Sequence, residues 1–323
     1  MNRKTKLSLV LVVLSLVGVT PACNRPGLRT PLPVTAVPVS STPPPAAVPF
    51  DQAKLGTVEH NITYCTMDGV SLKLDVYYPA AMDGAWPVVM YVHGGAWVKG
   101  DKSEGAGMAE RSALTAAGFL FVSINYRLAP DYQFPAMIED VKCAVRYLRA
   151  HAAQYNLDPA RVGALGGSAG GHLVSLLGLS DESAGWDVGE YLDQSSRVQA
   201  VVDYFGPADL TDSSFDTERA ENRAVEVFGA TDQSDPLLAA ASPVTYATPD
   251  DPPFLIAHGD KDDTVPLKQS QILYDKLEAT GIPAELLIVH NAGHGFVPTG
   301  GAISPTRQQI SQMVVEFFSQ HLK

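Results

Sequence analysis

Residues 163–172, GALGGSAGGH, set five glycines around a single hydroxyl, that of Ser168. Glycine costs backbone entropy in a helix and adds no packing to a strand, so the cluster needs another reason. Gly166-Gly167-Ser168-Ala169-Gly170 fits G-x-S-x-G, in which a serine sits on a sharp strand-to-helix turn with its hydroxyl lifted clear. Such a hydroxyl is a nucleophile only if a base takes its proton. His294 is the favoured base, in the segment HNAGHGF, held in a loop between Gly293 and Gly295. His290 ends the preceding predicted strand and reads as packed, and His172 reads as packing within the helix after Ser168. A carboxylate must orient the imidazole, and HGDKDDTVP (258–266) offers Asp260, Asp262 and Asp263. A developing oxyanion needs backbone N–H donors. Ala169 follows the serine directly, and Gly94 and Gly95 of HGGAW follow a predicted strand. His93 reads as support for that loop. Trp97, Trp186 and Tyr191 are the candidate substrate-pocket residues.

Elements of alternating type must bring these residues together. PVVMYVHGG (87–95) is a continuous apolar run, as in a buried parallel strand. A helical stretch near 106–117 precedes a strand read over 118–130. In 138–156, Val141, Ala144, Val145, Leu148 and Ala152 fall on one helical face. RVGALGG (161–167) reads as a strand and 169–180 as a helix. Strands follow at 198–207, 253–260 and 284–290, and a helix with Ile310, Met313, Val314, Phe317 and Leu322 on one face closes the chain. Residues 61–79 alternate around Met67-Asp68-Gly69, which predicts a hairpin at the sheet edge. The order predicts an α/β fold, a mostly parallel sheet covered by helices on both faces. Residues 181–197 and 208–246 break the rhythm as long polar insertions carrying Trp186, Tyr191, Phe215 and Phe228. Insertions of this kind shape ligand pockets, and these are expected to form a small cap.

With these blocks in order, the chain resembles the α/β-hydrolase esterases of the hormone-sensitive-lipase and bacterial feruloyl-esterase-like groups. The likeness covers roughly 55–320 and rests on YVHGGAW, NYRLAPDYQFPAMIEDVKCAVRYLR, GGSAGGH, VVDYFGPADL, PPFLIAHGDKDDTVP and GHGF. The family motif H-G-x-x-D-x-x-V-P is filled by His258, Gly259, Asp262, Val265 and Pro266, which assigns the orienting carboxylate to Asp262. Asp260 is then expected to brace the loop and Asp263 to be solvated. The order Ser168, Asp262, His294 is that of the α/β-hydrolases. Where the family often has HGGG, this chain has Ala96. The resemblance implies a serine carboxylesterase working through an acyl-enzyme, without metal or organic cofactor. Its substrates would be small-molecule or polysaccharide-linked esters, including acetyl and feruloyl esters. An amidase, formamidase or exopeptidase uses the same machinery. A binding protein on a dead scaffold is the reading of another class.

Composition bounds these readings. The 323 residues carry a formal charge of −12, which argues against nucleic acid as a partner. Arg3, Lys4 and Lys6 precede an uncharged run from Leu7 to Val19. As a helix that run rises about 20 Å, short of the roughly 30 Å apolar core of a bilayer. Residues 1–22 therefore read as a signal peptide. Thr20-Pro21-Ala22-Cys23 resembles the lipobox of bacterial lipoproteins, so Cys23 is the expected lipidation site and membrane tether, with simple secretion as the alternative. Residues 23–50 read as a linker, with eight prolines between Asn24 and Phe50, and 51–323 as the catalytic domain. Export permits a bond between Cys65 and Cys143, but two cysteines far apart in a large domain read as buried thiols.

Overall fold

The computed structural model describes residues 50–81, 83–215 and 224–323. The signal peptide, Cys23 and all but the last residue of the linker lie outside them. Among the described residues no helix is long and apolar enough to cross a membrane.

Strands β1 (Val58–Met67) and β2 (Val70–Tyr77) form the expected hairpin. Its two-residue turn is Asp68-Gly69, at φ +50° and +79°, the conformation that Asp-Gly favours in tight hairpins. Strands β3 (Trp86–Val92), β4 (Leu120–Ile124), β5 (Leu157–Gly167), β6 (Ala200–Tyr204), β7 (Phe254–Gly259) and β8 (Ala284–Val289) complete one sheet of order β1-β2-β4-β3-β5-β6-β7-β8. The pairs β1–β2 and β2–β4 are antiparallel and the others parallel. This is the α/β-hydrolase fold.

The helices are α1 (Arg111–Ala116), α2 (Ala136–Ala150), α3 (Ala152–Tyr155), α4 (Ala169–Leu179), α5 (Pro236–Ala240), α6 (Leu267–Thr280) and α7 (Arg307–Leu322). Alternation along β3 sends Val88, Met90 and Val92 into a core shared with α2, α4 and α6, and Val89 and Tyr91 into a second core shared with α1 and α7. Both faces are thus covered, which is why the central strands read as unbroken apolar runs.

Three local features differ from the sequence reading. The strand expected over 118–130 ends at Ile124, because the chain then leaves the sheet for side-chain partners: the Arg127 amide donates to Asp140 Oδ2 at 2.7 Å. Helix α6 carries no strong one-faced apolar pattern and buries only Gln269, Ser270, Leu273 and Leu277. Cys65 and Cys143 are not free thiols. They form a disulfide between β1 and α2, with their Cα atoms 6.5 Å apart. Their separation of 78 residues conceals that α2 crosses back over the hairpin.

Candidate active site

Ser168 stands between the last residue of β5 and the first of α4. Its backbone lies at φ +58°, ψ −122°, a conformation that costs a non-glycine residue about 1–3 kcal/mol. Two hydrogen bonds hold it there. Its amide donates to the Tyr204 carbonyl at 2.8 Å, and its carbonyl accepts from the His172 amide at 3.0 Å. The flanking glycines are steric necessities. A Cβ on Gly166 would lie 2.2 Å from the Gly170 carbonyl oxygen, and one on Gly170 would lie 2.1 Å from that of Val92. The hydroxyl borders a cavity of about 790 Å³.

His294 borders the same cavity from the loop after β8, as the first residue of a short 3₁₀ turn. Its Nδ1 donates to Asp262 Oδ2 at 2.8 Å. An ionised carboxylate only accepts, so Nδ1 carries the proton and Nε2 is left with a free lone pair. The Asp262 side chain is fully buried. Its Oδ1 accepts from the amides of Thr264 and Val265, both at 2.9 Å. Burial alone would raise this carboxyl. Hydrogen bonds from His258, His294 and the Val265 amide outweigh it and hold the group well below the ordinary carboxylate range. Of the other two aspartates, Asp260 bonds His290 at 3.2 Å and Asp263 is exposed. His290, read as packed, is exposed instead, with a side chain 65% accessible.

Gly94 and Gly95 border the cavity after β3, and a Cβ on Gly94 would lie 3.3 Å from that of Ser168. Ala169 opens α4, so its N–H is among those that have no acceptor within the helix. His93 donates from Nδ1 to the Gly94 carbonyl at 2.7 Å and stacks on Tyr126. Ala96 and Trp97 both adopt left-handed backbone, at φ +52° and +61°.

Of the candidate pocket residues only Trp97 borders the cavity. Trp186 is buried against Phe134 and Tyr246, and Tyr191 packs edge-on against Tyr147 and His151. The segment 181–197 is strapped onto α2, where Lys142 and Arg146 both pair with Asp187, which removes it from the cavity. The other insertion does reach it, through Phe215. Phe205 was missed by sequence reading. Its ring lies 4.7 Å from that of His294. Its signal is its place just past the carboxyl end of β6, where open α/β sheets bind ligands. Among the described residues no group of three or more His, Cys, Asp or Glu could hold a metal ion.

Residues 74–277 match the BD-FAE family model. "Esterase LipC" of Mycobacterium tuberculosis is 35% identical over 231 residues, covering 70% of this chain and 57% of that protein. "Probable carboxylic ester hydrolase LipM" of the same organism is 32% identical over 259 residues, covering 77% and 59%. The chain thus spans little more than half the length of these curated relatives. A solved structure described as a truncated form of a carbohydrate esterase from gut microbiota superposes with a TM-score of 0.69 at 30% identity, covering 85% of this chain and 99% of the other.

Proposed function

Because this chain belongs to the BD-FAE family and carries the α/β-hydrolase fold, we propose that it is a carboxylic ester hydrolase working through an acyl-enzyme on Ser168. The observation that carries the reading is His294, held from behind by Asp262, on the wall of the cavity that Ser168 borders. In the proposed reaction the Ser168 hydroxyl attacks the ester carbonyl while His294 Nε2 takes its proton. The tetrahedral oxyanion is held by amides of Ala169 and of Gly94 and Gly95. Collapse breaks the bond to the alcohol, which leaves with the proton from His294. Water then repeats the cycle and releases the acid. Asp262 stays ionised throughout and steadies the imidazolium.

Carbohydrate-linked acetyl or feruloyl esters and other short-chain esters are the proposed substrates. The cavity supports a bipartite ligand, since Phe205, Pro207, Phe215 and Val265 give it an apolar wall and Lys99 and Glu104 supply charged groups. The carbohydrate-esterase neighbour supports the same class. We further propose that the enzyme is exported, tethered through a lipidated Cys23. The Cys65–Cys143 disulfide supports an oxidising compartment.

A panel of p-nitrophenyl esters of rising chain length, with acetylated xylan and methyl ferulate alongside, tests the activity. Turnover of the short aryl esters and of at least one carbohydrate ester is expected. Turnover of anilides with none of any ester would sink the ester reading.

A further inference from the structure

We propose that His172 is a positioning residue for the oxyanion loop: as a neutral Nε2–H tautomer it fixes Trp97, and through Trp97 the Gly94–Gly95 backbone beside Ser168. The inference rests on the ester-hydrolase reading above.

His172 lies one turn into the nucleophile helix and is wholly buried. Both ring nitrogens are engaged. An indole N–H can only donate, so in the 3.2 Å contact between Trp97 Nε1 and His172 Nδ1 the imidazole is the acceptor. The proton must then sit on Nε2, which donates to the Ala241 carbonyl at 2.7 Å. No other tautomer satisfies both bonds, and an imidazolium would set two N–H groups against each other. Burial agrees, lowering the imidazole to about 4 against a smaller raising effect of the Ala241 bond.

One ring therefore joins three elements: α4 with its serine, the loop after β3, and the end of α5 in the inserted segment. The loop needs such a hold. Gly95, Ala96 and Trp97 are three consecutive residues at positive φ, a run that left-handed backbone does not sustain unaided. The loop's own hydrogen bonds run from Val98 and Lys99 back to the Gly95 carbonyl, and the Trp97 carbonyl accepts from Ala129. The Trp97 ring also meets His172 edge-on, with Phe228 edge-on to both. Nothing in this arrangement touches substrate through His172 itself. Its action on the reaction passes through the loop.

The experiment compares kcat and KM for p-nitrophenyl acetate, per folded site, in wild type, His172→Phe, His172→Gln and Trp97→Phe. Loss of one oxyanion donor outright costs on the order of a hundredfold or more in kcat, and a loosened loop should cost part of that. His172→Phe keeps a ring but loses both hydrogen bonds, and kcat should fall at least about tenfold with KM within about threefold. His172→Gln can accept from Trp97 and donate to Ala241, and should recover most of that loss. A role in filling space alone would rank the phenylalanine variant above the glutamine. Were His172→Phe to misfold, Trp97→Phe, which removes the indole donor together with part of a ring that borders the cavity, carries the same kcat prediction, and a folded Trp97→Phe within twofold of wild type in kcat overturns the proposal. An active wild type with a folded His172→Phe variant within twofold in kcat overturns this proposal alone. A wild type inactive on every ester overturns it together with the hydrolase reading.

Discussion

At the scale of single residues, Asp262 acts through what it accepts. Three hydrogen-bond donors converge on its carboxylate, from His294, Thr264 and Val265, with His258 Nε2 a further 3.5 Å contact. Replacing it with asparagine keeps the shape but offers His294 Nδ1 an N–H, which favours the wrong tautomer. Asp262→Asn should lower kcat at least about a hundredfold near neutral pH, whereas Asp260→Asn should stay within about tenfold, both read by steady-state kinetics on folded protein. His172 makes a different demand, since it must fold neutral. Its folded pKa of about 4 lies below the roughly 6.5 of the unfolded chain. Between those values the unfolded chain binds a proton that the folded one refuses, so stability falls as pH drops from about 6.5 to about 4 and levels below. Urea midpoints at pH 7, 5 and 4 should fall less steeply in His172→Gln than in wild type. Asp262 and His294 were legible as a candidate pair because each sits in a short motif whose spacing is itself the geometry, whereas His172 read only as packing, since nothing in its motif marks the partners of its two ring nitrogens. Trp186 and Tyr191 were misread because an aromatic in an insertion looks the same whether it faces a cavity or an ion-paired strap.

At the scale of elements, hydrophobic period was enough to find all eight strands as elements or hairpin arms, since each is flanked by glycine or a polar turn. Bounds were less legible: the fourth strand ends at Ile124, short of its apolar run, and the fifth begins at Leu157, because Leu157-Asp158-Pro159-Ala160 joins the strand without contributing buried alternation. Helix α6 escaped notice because two of its 4 buried residues, Gln269 and Ser270, are polar, so the buried face carries little apolar signal. The β1–α2 disulfide was the other surprise, and it carries a measurable consequence. Closing a loop of 78 residues restricts the unfolded chain, an effect of about 2–4 kcal/mol for a typical native bond. The paired Cys65→Ser, Cys143→Ser variant should lose that much in equilibrium denaturation while keeping ester turnover at low temperature, since neither sulfur borders the cavity. A variant as stable as wild type would mean the bond does not form in solution.

At the scale of the whole molecule, the proposed catalytic groups meet only because four separate connections converge: the loop after β3, the β5–α4 turn, the turn after β7 and the loop after β8. Each motif was readable alone, but their meeting is a property of the parallel sheet, whose strand ends deliver all four to one edge. A fluorophosphonate probe reads that convergence directly, because it bonds covalently to a serine only where base and oxyanion donors are assembled around it. Peptide mass spectrometry of the labelled chain should find one adduct per folded molecule, on Ser168, absent from Ser168→Ala and from chain unfolded before labelling. A folded wild type that takes no label, or takes it on another serine, would contradict the assignment of Ser168 as the nucleophile.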